Sequence, residues 1–191
     1  KPAVVPGDRV LKGQVIARDD NPLIPPIHAS SSGVVRAIEK LPLPHPSGLS
    51  GLCIVIETDG EDVATNFSSN PEYWQCSPAE LRRNIHEAGI VGLGGAAFPT
   101  SIKLAAGTSR KIDTLILNGA ECEPYITCDD SLLTHYPEEV LEGAKILLHI
   151  LQAERCLLAV EDDMPDALTA LEKAKHCGDF ETVQLVRVPA V

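Results

Sequence analysis

The second half of the chain alternates short apolar segments with longer amphipathic ones, and this alternation limits the folds open to it. Residues 111–118, 156–160 and 182–188 are predicted strands because each contains a compact apolar run. Helices are predicted between these strands, one from Pro137 and one over residues 165–175. An earlier helix is predicted to be capped by Ser77 and to stop at Gly89. Because parallel strands need long crossover connections, the pattern predicts a Rossmann-like α/β domain with a parallel sheet.

Residues 1–60 carry a different pattern, with short segments rich in Val and Ile separated by turn sequences. The predicted strands are 8–10, 14–17, 27–29, 34–39 and 53–57, and the Pro-rich stretch 41–51 is predicted to be an extended surface loop. A polar connector, residues 58–75, follows the strands. We therefore place a domain boundary near residue 66, giving an all-β domain over 1–66 and an α/β domain over 67–191.

The all-β segment from Pro6 to Ile16, together with residues 27–35, resembles half of a barrel–sandwich hybrid of the biotinyl or lipoyl type. In carrier domains of that type, a Lys at the tip of a hairpin takes the biotin or lipoate. No Lys lies between Ile16 and Ile27. The resemblance therefore implies a structural or docking role for this domain, with an acyl or biotin carrier as the weaker alternative.

Charge and cysteine spacing exclude several other functions. The net charge is −11, and such a surface repels the phosphate backbone of nucleic acids. None of the six Cys lies in a Cys-x-x-Cys motif, so local spacing predicts no zinc or iron–sulfur site and favours reduced, cytosolic thiols. No apolar run approaches the roughly 18 residues of a membrane span.

A glycine-rich segment, residues 89–103, contains Gly92, Gly94, Gly95 and Ala96 and ends at Lys103. Glycine lets the backbone approach a ligand closely, and successive N–H groups in such a loop can bind an anion. A tight turn between packed elements is the alternative. The G-x-G-x-x-A spacing matches the dinucleotide fingerprint, but a predicted helix precedes it and Phe98-Pro99 interrupts any helix after it. That fingerprint needs a preceding strand, so we do not interpret the segment as a Rossmann turn.

A second polar segment, residues 118–125, directly follows the first predicted strand of the α/β domain. Open α/β sheets bind ligands at the carboxyl ends of their strands, and Asn118, Glu121 and Glu123 offer hydrogen-bonding groups there. A polar turn that caps the strand is the alternative. Asp129 and Asp130 are predicted to cap a short helix beginning at Ser131, with a role as metal ligands as the weaker alternative.

The two segments together resemble the flavin-binding core of the NADH-oxidising flavoprotein subunit of respiratory complex I. The motifs are Gly-x-Gly-Gly-Ala-x-Phe-Pro-Thr-x-x-Lys and, about fifteen residues later, Asn-x-x-Glu-x-Glu-Pro. A closer resemblance is to the C subunit family of Rnf electron-transport complexes. It is carried by the sequence Asn-Gly-Ala-Glu-Cys-Glu-Pro-Tyr and by the preceding β domain, which contains Pro-His-Pro-Ser-Gly-Leu-Ser. The resemblance covers nearly the whole chain.

This resemblance implies that the chain binds FMN and NAD(H). It implies backbone contacts to the flavin from Gly92, Gly94, Gly95 and Ala96, and a contact from Lys103 to the phosphate or ring edge. Asn118, Glu121 and Glu123 would hold the ring or the nicotinamide side, and Phe98 would either stack on a nicotinamide or adenine or pack beneath the loop. The resemblance assigns no catalytic side chain and no metal ligand.

Two positions differ from the complex I pattern, which has Arg at position 93 and Asp at position 120. Leu93 and Ala120 replace that charge pair, which leaves the mode of nucleotide binding open. The resemblance further implies a peripheral subunit of an ion-translocating complex on the cytoplasmic face of the bacterial inner membrane, with the other subunits as partners. Its 4Fe-4S clusters are expected only in a C-terminal region beyond this sequence, so the chain is not expected to be catalytically complete alone. A docking or scaffold module that has lost its cofactor is the alternative function.

Overall fold

The computed structural model describes residues 1–67, 72–93, 96–105, 111–121, 123 and 125–190. These residues form two compact units. One contains Lys1–Pro71 with Asn84–Val91 and Phe98–Thr100, and the other contains Glu72–Arg83, Gly92–Ala97 and Ser101–Val191. The boundary predicted near residue 66 stays a prediction, because the first unit also includes short pieces of chain from beyond it.

The first unit is built from five strands, as the turn-rich sequence predicts. They are β1 (Arg9–Val10), β2 (Val15–Ala17), β3 (Ile27–His28), β4 (Gly33–Pro42) and β5 (Ser50–Thr58). One antiparallel sheet has the order β1-β4-β5, and β2 pairs with β3 in a second antiparallel sheet. The strands enclose a small core of Val4, Val10, Ile16, Ala29 and Val35. Alternation along short strands supplies this core because successive side chains point to opposite faces.

The Pro-rich stretch 41–51 differs from its prediction as a loop. Leu41 pairs with Gly51 and Pro42 with Ser50, so that β4 and β5 continue into it. Proline is tolerated there because Pro42 is the last residue of its strand. The remaining turn is closed by the backbone N–H of Leu43, which donates to the carbonyl of Leu49 at 3.0 Å.

The second unit contains a parallel sheet, which confirms the prediction from the alternating pattern. Its strands are β6 (Thr114–Asn118), β7 (Arg155–Glu161) and β8 (Val183–Val188), in the order β6-β7-β8. Helices α3 (Cys128–His135) and α4 (Pro137–Leu151) connect β6 to β7, and α5 (Pro165–Cys177) connects β7 to β8. The core includes Leu133, Leu141, Leu158, Leu171 and Val183.

Two shorter helices precede the sheet: α1 (Pro78–Glu87) and α2 (Thr100–Leu104). The hydroxyl oxygen of Ser77 accepts a hydrogen bond from the backbone N–H of Glu80 at 3.3 Å, which confirms the predicted cap. The chain leaves α1 through Gly89, whose φ of +71° is the left-handed conformation that commonly ends a helix. Within the described ranges, no helix has both the length and the apolar character needed to cross a bilayer.

Candidate functional site

A cavity of about 750 Å³ opens in the second unit at the carboxyl ends of the three parallel strands. Its walls come from the chain after β6, from the first turn of α3 and the chain after β7, and from the end of β8; the lining residues are Ala120, Glu121, Glu123, Tyr125, Ile126, Thr127, Asp130, Glu161, Asp163, Met164, Val188, Pro189 and Ala190. This is the edge at which open α/β sheets bind ligands. The volume lies in the range of small-molecule sites, roughly 300–1,000 Å³.

The cavity wall is acidic. Five of its lining residues are carboxylates, namely Glu121, Glu123, Asp130, Glu161 and Asp163, and none of the described lining residues carries a positive charge. A carboxylate only accepts hydrogen bonds when it is ionised, so the wall suits ligand groups that donate N–H or O–H. The same charges disfavour a bound phosphate.

Glu121 occupies the N-terminus of α3. Its Oε1 atom accepts hydrogen bonds from the backbone N–H groups of Asp129 at 2.8 Å and Asp130 at 3.0 Å. Its own backbone N–H donates to Oε2 of Glu161 at 3.1 Å, which links the chain after β6 to the end of β7. The unpaired N–H groups that begin a helix therefore meet a carboxylate from the same chain, and this N-terminus is not available to a phosphate.

The prediction that Asp129 and Asp130 cap a helix at Ser131 is wrong. The helix begins at Cys128, so both residues lie in its first turn, and Glu121 provides the cap instead. The first turn of a helix favours negative charge, which explains why two adjacent Asp residues are tolerated there. Burial raises the pKa of the Asp129 carboxyl, and the neighbouring Glu121 carboxylate raises it further.

Cys128 lies beside this cap. Its Sγ atom is 3.8 Å from Oε2 of Glu121, and the ligand atoms of Glu121, Cys128 and Asp129 lie within 4.8 Å of one another. Burial raises the pKa of the Cys128 thiol, and the Glu121 and Asp129 carboxylates raise it further. A raised pKa makes the thiol a weaker nucleophile at neutral pH, because the thiolate is the reactive form.

The remaining predicted residues of this segment have separate positions. Asn118 ends β6, and its Oδ1 atom accepts the backbone N–H of Ala120 at 3.3 Å, a local turn contact. Asn118 is not among the described lining residues of the cavity, whereas Glu123 is. Tyr125 has a φ of +67°, a conformation that is uncommon for a residue other than glycine. Such strain is often found in ligand-binding segments.

The glycine-rich segment follows α1, as predicted, and Gly94 and Gly95 lie outside the described residues. Gly92 is half-buried and Ala96 is exposed. Phe98 is 47% exposed, and Lys103 is exposed on α2. No described residue of this segment lines the cavity, so a site shared by the two predicted segments stays a prediction.

Sequence reasoning missed Glu161 and Asp163. Glu161 ends β7 as Asn118 ends β6, and Asp163 lies two residues beyond it. Parallel pairing places the two strand ends side by side, with Asn118 opposite Ala159. The usable signal was the Glu-Asp-Asp run after the apolar segment 156–160. Applying the strand-end rule to every strand of the predicted sheet would have found it.

Comparison with known proteins relates the two halves of the chain to different families. Residues 85–190 match the Nuo51 FMN-binding domain, and residues 1–61 match the RnfC barrel sandwich hybrid domain. These matches confirm the predicted order of the two folds.

The chain is also similar to curated C subunits of an ion-translocating oxidoreductase complex and to one solved structure. The chain is 46% identical over 183 residues, 96% of its length, to the C subunit of the ion-translocating oxidoreductase complex of Edwardsiella ictaluri (strain 93-146), of which it covers 22%. Against the protein of the same name from Pasteurella multocida (strain Pm70) it is 44% identical over 92% of its length, covering 21% of that protein. The chain thus spans about a fifth of the length of these curated relatives. An NAD⁺-reducing NiFe-hydrogenase in the air-oxidized state is similar with a TM-score of 0.53 and 26% identity, over 62% of this chain and 21% of that one.

Proposed function

The chain belongs to the Nuo51 FMN-binding domain family, and from this premise we propose that it binds FMN as part of the C subunit of an ion-translocating oxidoreductase complex. The observation that carries the proposal is the match of residues 85–190 to an FMN-binding domain, within which an acidic cavity opens at the carboxyl edge of the sheet. The similarity to such a C subunit over 96% of the chain supports the assignment to the complex.

The residues of the cavity fit one end of FMN. The isoalloxazine ring carries an N–H group and the ribityl chain carries hydroxyls, and both can donate to the carboxylates of Glu123, Glu161 and Asp163. The phosphate does not fit among these carboxylates. It is expected at Lys103 and the glycine-rich segment, whose backbone N–H groups and cation suit an anion.

Within such a complex, bound flavin supplies the chemistry of taking a hydride from a nicotinamide and passing electrons on singly. The residues of this chain then hold and orient the cofactor. Glu123 faces the cavity with an exposed carboxylate, whereas the Oε1 atom of Glu121 is already engaged by the N-terminus of α3. We therefore assign direct contact to Glu123, and to Glu121 the task of fixing the loop that carries Glu123.

The wider role is proposed from the relatives. One similar structure belongs to an enzyme described as NAD⁺-reducing, which supports binding of NAD(H) beside the flavin. Phe98, which is 47% exposed, is proposed to stack on the nicotinamide or adenine. Electrons are proposed to pass to 4Fe-4S clusters held outside this sequence, coupled to ion translocation. The protein is proposed to lie peripherally at the cytoplasmic face of the bacterial inner membrane, with the other subunits as partners.

Titration with FMN tests the proposal directly. Binding is expected to shift the flavin absorbance near 450 nm and to raise the melting temperature, because a ligand that binds only the folded state stabilises it. Ribose 5-phosphate is the control, since it carries a phosphate without the flavin ring and without an adenine. If FMN produces neither effect, in this chain and in a longer protein of the same family that contains it, the proposed function is wrong.

A docking module without cofactor is the second candidate, and one observation favours it. The connection between β2 and β3 exposes Leu23 and Ile24, and the exposed Ile27 begins β3, which makes an apolar surface on the first unit. Here the first unit would bind another protein of the complex and the second would serve only as a spacer. Electron transfer by the assembled complex would then survive Glu123→Gln and Lys103→Ala, while Leu23→Ser with Ile24→Ser would release the chain from its partners.

A further inference from the structure

The connection between β2 and β3 contacts the end of α1 within the first unit. Arg18 follows β2 directly, and its Nη2 atom donates to Oε2 of Glu87, the last residue of α1, at 2.8 Å. Both side chains are about half exposed. The ion pair also holds the pKa of the Glu87 carboxyl below its ordinary value, mainly through the hydrogen bond from Arg18.

A second contact lies two residues further along. Gly89 has a φ of +71°, and a Cβ atom built on it would lie 2.9 Å from Cε1 and Nδ1 of His28 and 3.0 Å from the carbonyl oxygen of Pro26. A Cβ atom there would force the His28 ring to move and would crowd the Pro26 carbonyl, so the backbone at Gly89 lies in close contact with the β2–β3 hairpin. The segment after α1 is thus held by the hairpin through a charge pair and through close packing.

This held segment leads straight into the glycine-rich segment. Val91 and Pro99 form an antiparallel bridge, and the backbone N–H of Thr100 donates to the carbonyl of Ile90 at 3.1 Å. Residues on both sides of the glycines, Asn84–Val91 and Phe98–Thr100, belong to the first unit together with the hairpin. The position of both ends of the loop is therefore set by contacts inside that unit.

We propose that the β2–β3 hairpin is a brace for the glycine-rich segment, with Arg18 and Gly89 as positioning residues for flavin binding. The β2–β3 hairpin has no Lys at the tip that takes the biotin or lipoate in carrier domains, and residues at its base, Arg18 after β2 and Pro26 and His28 at β3, contact the chain that leads into the glycine-rich segment. The part of this inference that concerns flavin rests on the proposed function. The brace itself is a claim about the free protein.

Hydrogen exchange separates the two claims. In the protein without FMN, Arg18→Ala is expected to speed amide exchange at residues 84–100, and most clearly at Thr100, because the loop ends lose part of their support. Arg36→Ala is the matched control, since Arg36 forms a similarly exposed ion pair with Glu57 at 2.9 Å in the same unit. Exchange at residues 84–100 is expected to be unchanged in that control.

FMN affinity is the second readout. Arg18→Ala is expected to weaken FMN binding about two- to fivefold, the effect of losing an exposed ion pair, and Arg36→Ala to leave it unchanged. Arg18→Glu combined with Glu87→Arg restores the pair with reversed charges, so it should recover both affinity and exchange protection relative to Arg18→Glu alone. Recovery by charge reversal shows that the effect passes through the Arg18–Glu87 ion pair and not through residue 18 alone, and an unchanged melting temperature of Arg18→Ala separates positioning from a general loss of stability.

Gly89→Ala is a second variant, in which the added methyl group both crowds the hairpin and strains the backbone at positive φ. It should raise exchange at residues 84–100 and weaken FMN binding more than Arg18→Ala does. If the wild-type chain binds no FMN while the exchange results hold, the brace stands and the proposed function fails. If wild type binds FMN, but the Arg18 and Gly89 variants match it in exchange and affinity, the brace is overturned.

Discussion

The Oε1 atom of Glu121 lies 2.8 Å from the backbone nitrogen of Asp129, so a residue of the candidate site also begins the helix beside it. A carboxylate at this place offsets the partial positive charge of the helix N-terminus. Any ligand group that approaches Glu121 therefore meets a side chain whose orientation is already determined by α3. The helix and the loop after β6 form one structural element.

Removing the Glu121 cap should lower the stability of the fold, and by more in Glu121→Ala than in Glu121→Gln. Glu121→Ala leaves two backbone N–H groups at the start of α3 without their acceptor, and we expect a loss of about 0.5–2 kcal/mol in the free energy of unfolding. Glu121→Gln keeps an acceptor oxygen and should cost less. Urea unfolding of both variants measures the difference. Equal losses would show that the side chain acts through charge alone.

Cysteine labelling should report on the same contact. Because the Glu121 carboxylate adds to the burial that raises the pKa of Cys128, Glu121→Gln should lower that pKa and speed alkylation of Cys128 at pH 8. Cys156 is fully buried with a pKa raised to about 11, so it should stay unlabelled in the native protein. Timed iodoacetamide labelling read by mass spectrometry tests both, with the exposed Cys177 as internal reference. A Cys128 rate that is unchanged in Glu121→Gln would contradict the contact.

Ser32 should be important for the stability of the first unit. It is fully buried, its hydroxyl donates to Oδ1 of Asp59 at 2.7 Å, and its oxygen accepts the backbone N–H of Val63 at 2.9 Å. Ser32→Ala leaves the Val63 group unsatisfied and should cost about 1–3 kcal/mol. Ser31→Ala is the control, because the Ser31 hydroxyl donates to Oδ1 of Asp62 at a solvent-exposed position. Similar losses for the two variants would contradict this explanation.

The loss of stability caused by Ser32→Ala should depend on pH. The Ser32 hydroxyl is the main cause that lowers the pKa of Asp59 in the folded protein. A lowered folded-state pKa gives stability that is present above the ordinary value of 3.8 and is lost as pH falls through the folded value. The stability difference between wild type and Ser32→Ala should therefore narrow below about pH 4. Acid titration followed by circular dichroism measures it, and a constant difference would count against the Asp59 contact.

The separation of ring and phosphate in the proposed site can be tested with riboflavin. If Lys103 binds the phosphate, Lys103→Ala should weaken FMN binding about tenfold or more, the value of a charged hydrogen bond, and leave riboflavin binding nearly unchanged. Lys173→Ala, an exposed substitution on α5, is the control. Glu123→Gln should weaken both ligands alike. Equal losses of FMN and riboflavin in Lys103→Ala would place the phosphate elsewhere.

The sequence predicted the sheet because its strands are short apolar runs separated by helices with clear start signals. The sequence predicted less well which side chains are buried and which residue caps a helix, because both depend on tertiary contacts. In α4, Leu141 and Ile150 are buried while Val140 and Leu147 are only partly so, since α4 packs on both the sheet and α5. The capping role of Glu121 depends on the path of the chain through Tyr125 at positive φ, which no local pattern reveals.

The bridge between Val91 and Pro99 has a consequence for the thermodynamics of ligand binding. Bringing the ends of a flexible loop together costs entropy that grows with the logarithm of its length. Here the bridge between Val91 and Pro99 has already brought the two ends of the segment together, so a ligand that binds between them does not have to supply that part of the cost. Lengthening the loop between Val91 and Pro99 would therefore reduce affinity gradually and leave the fold intact.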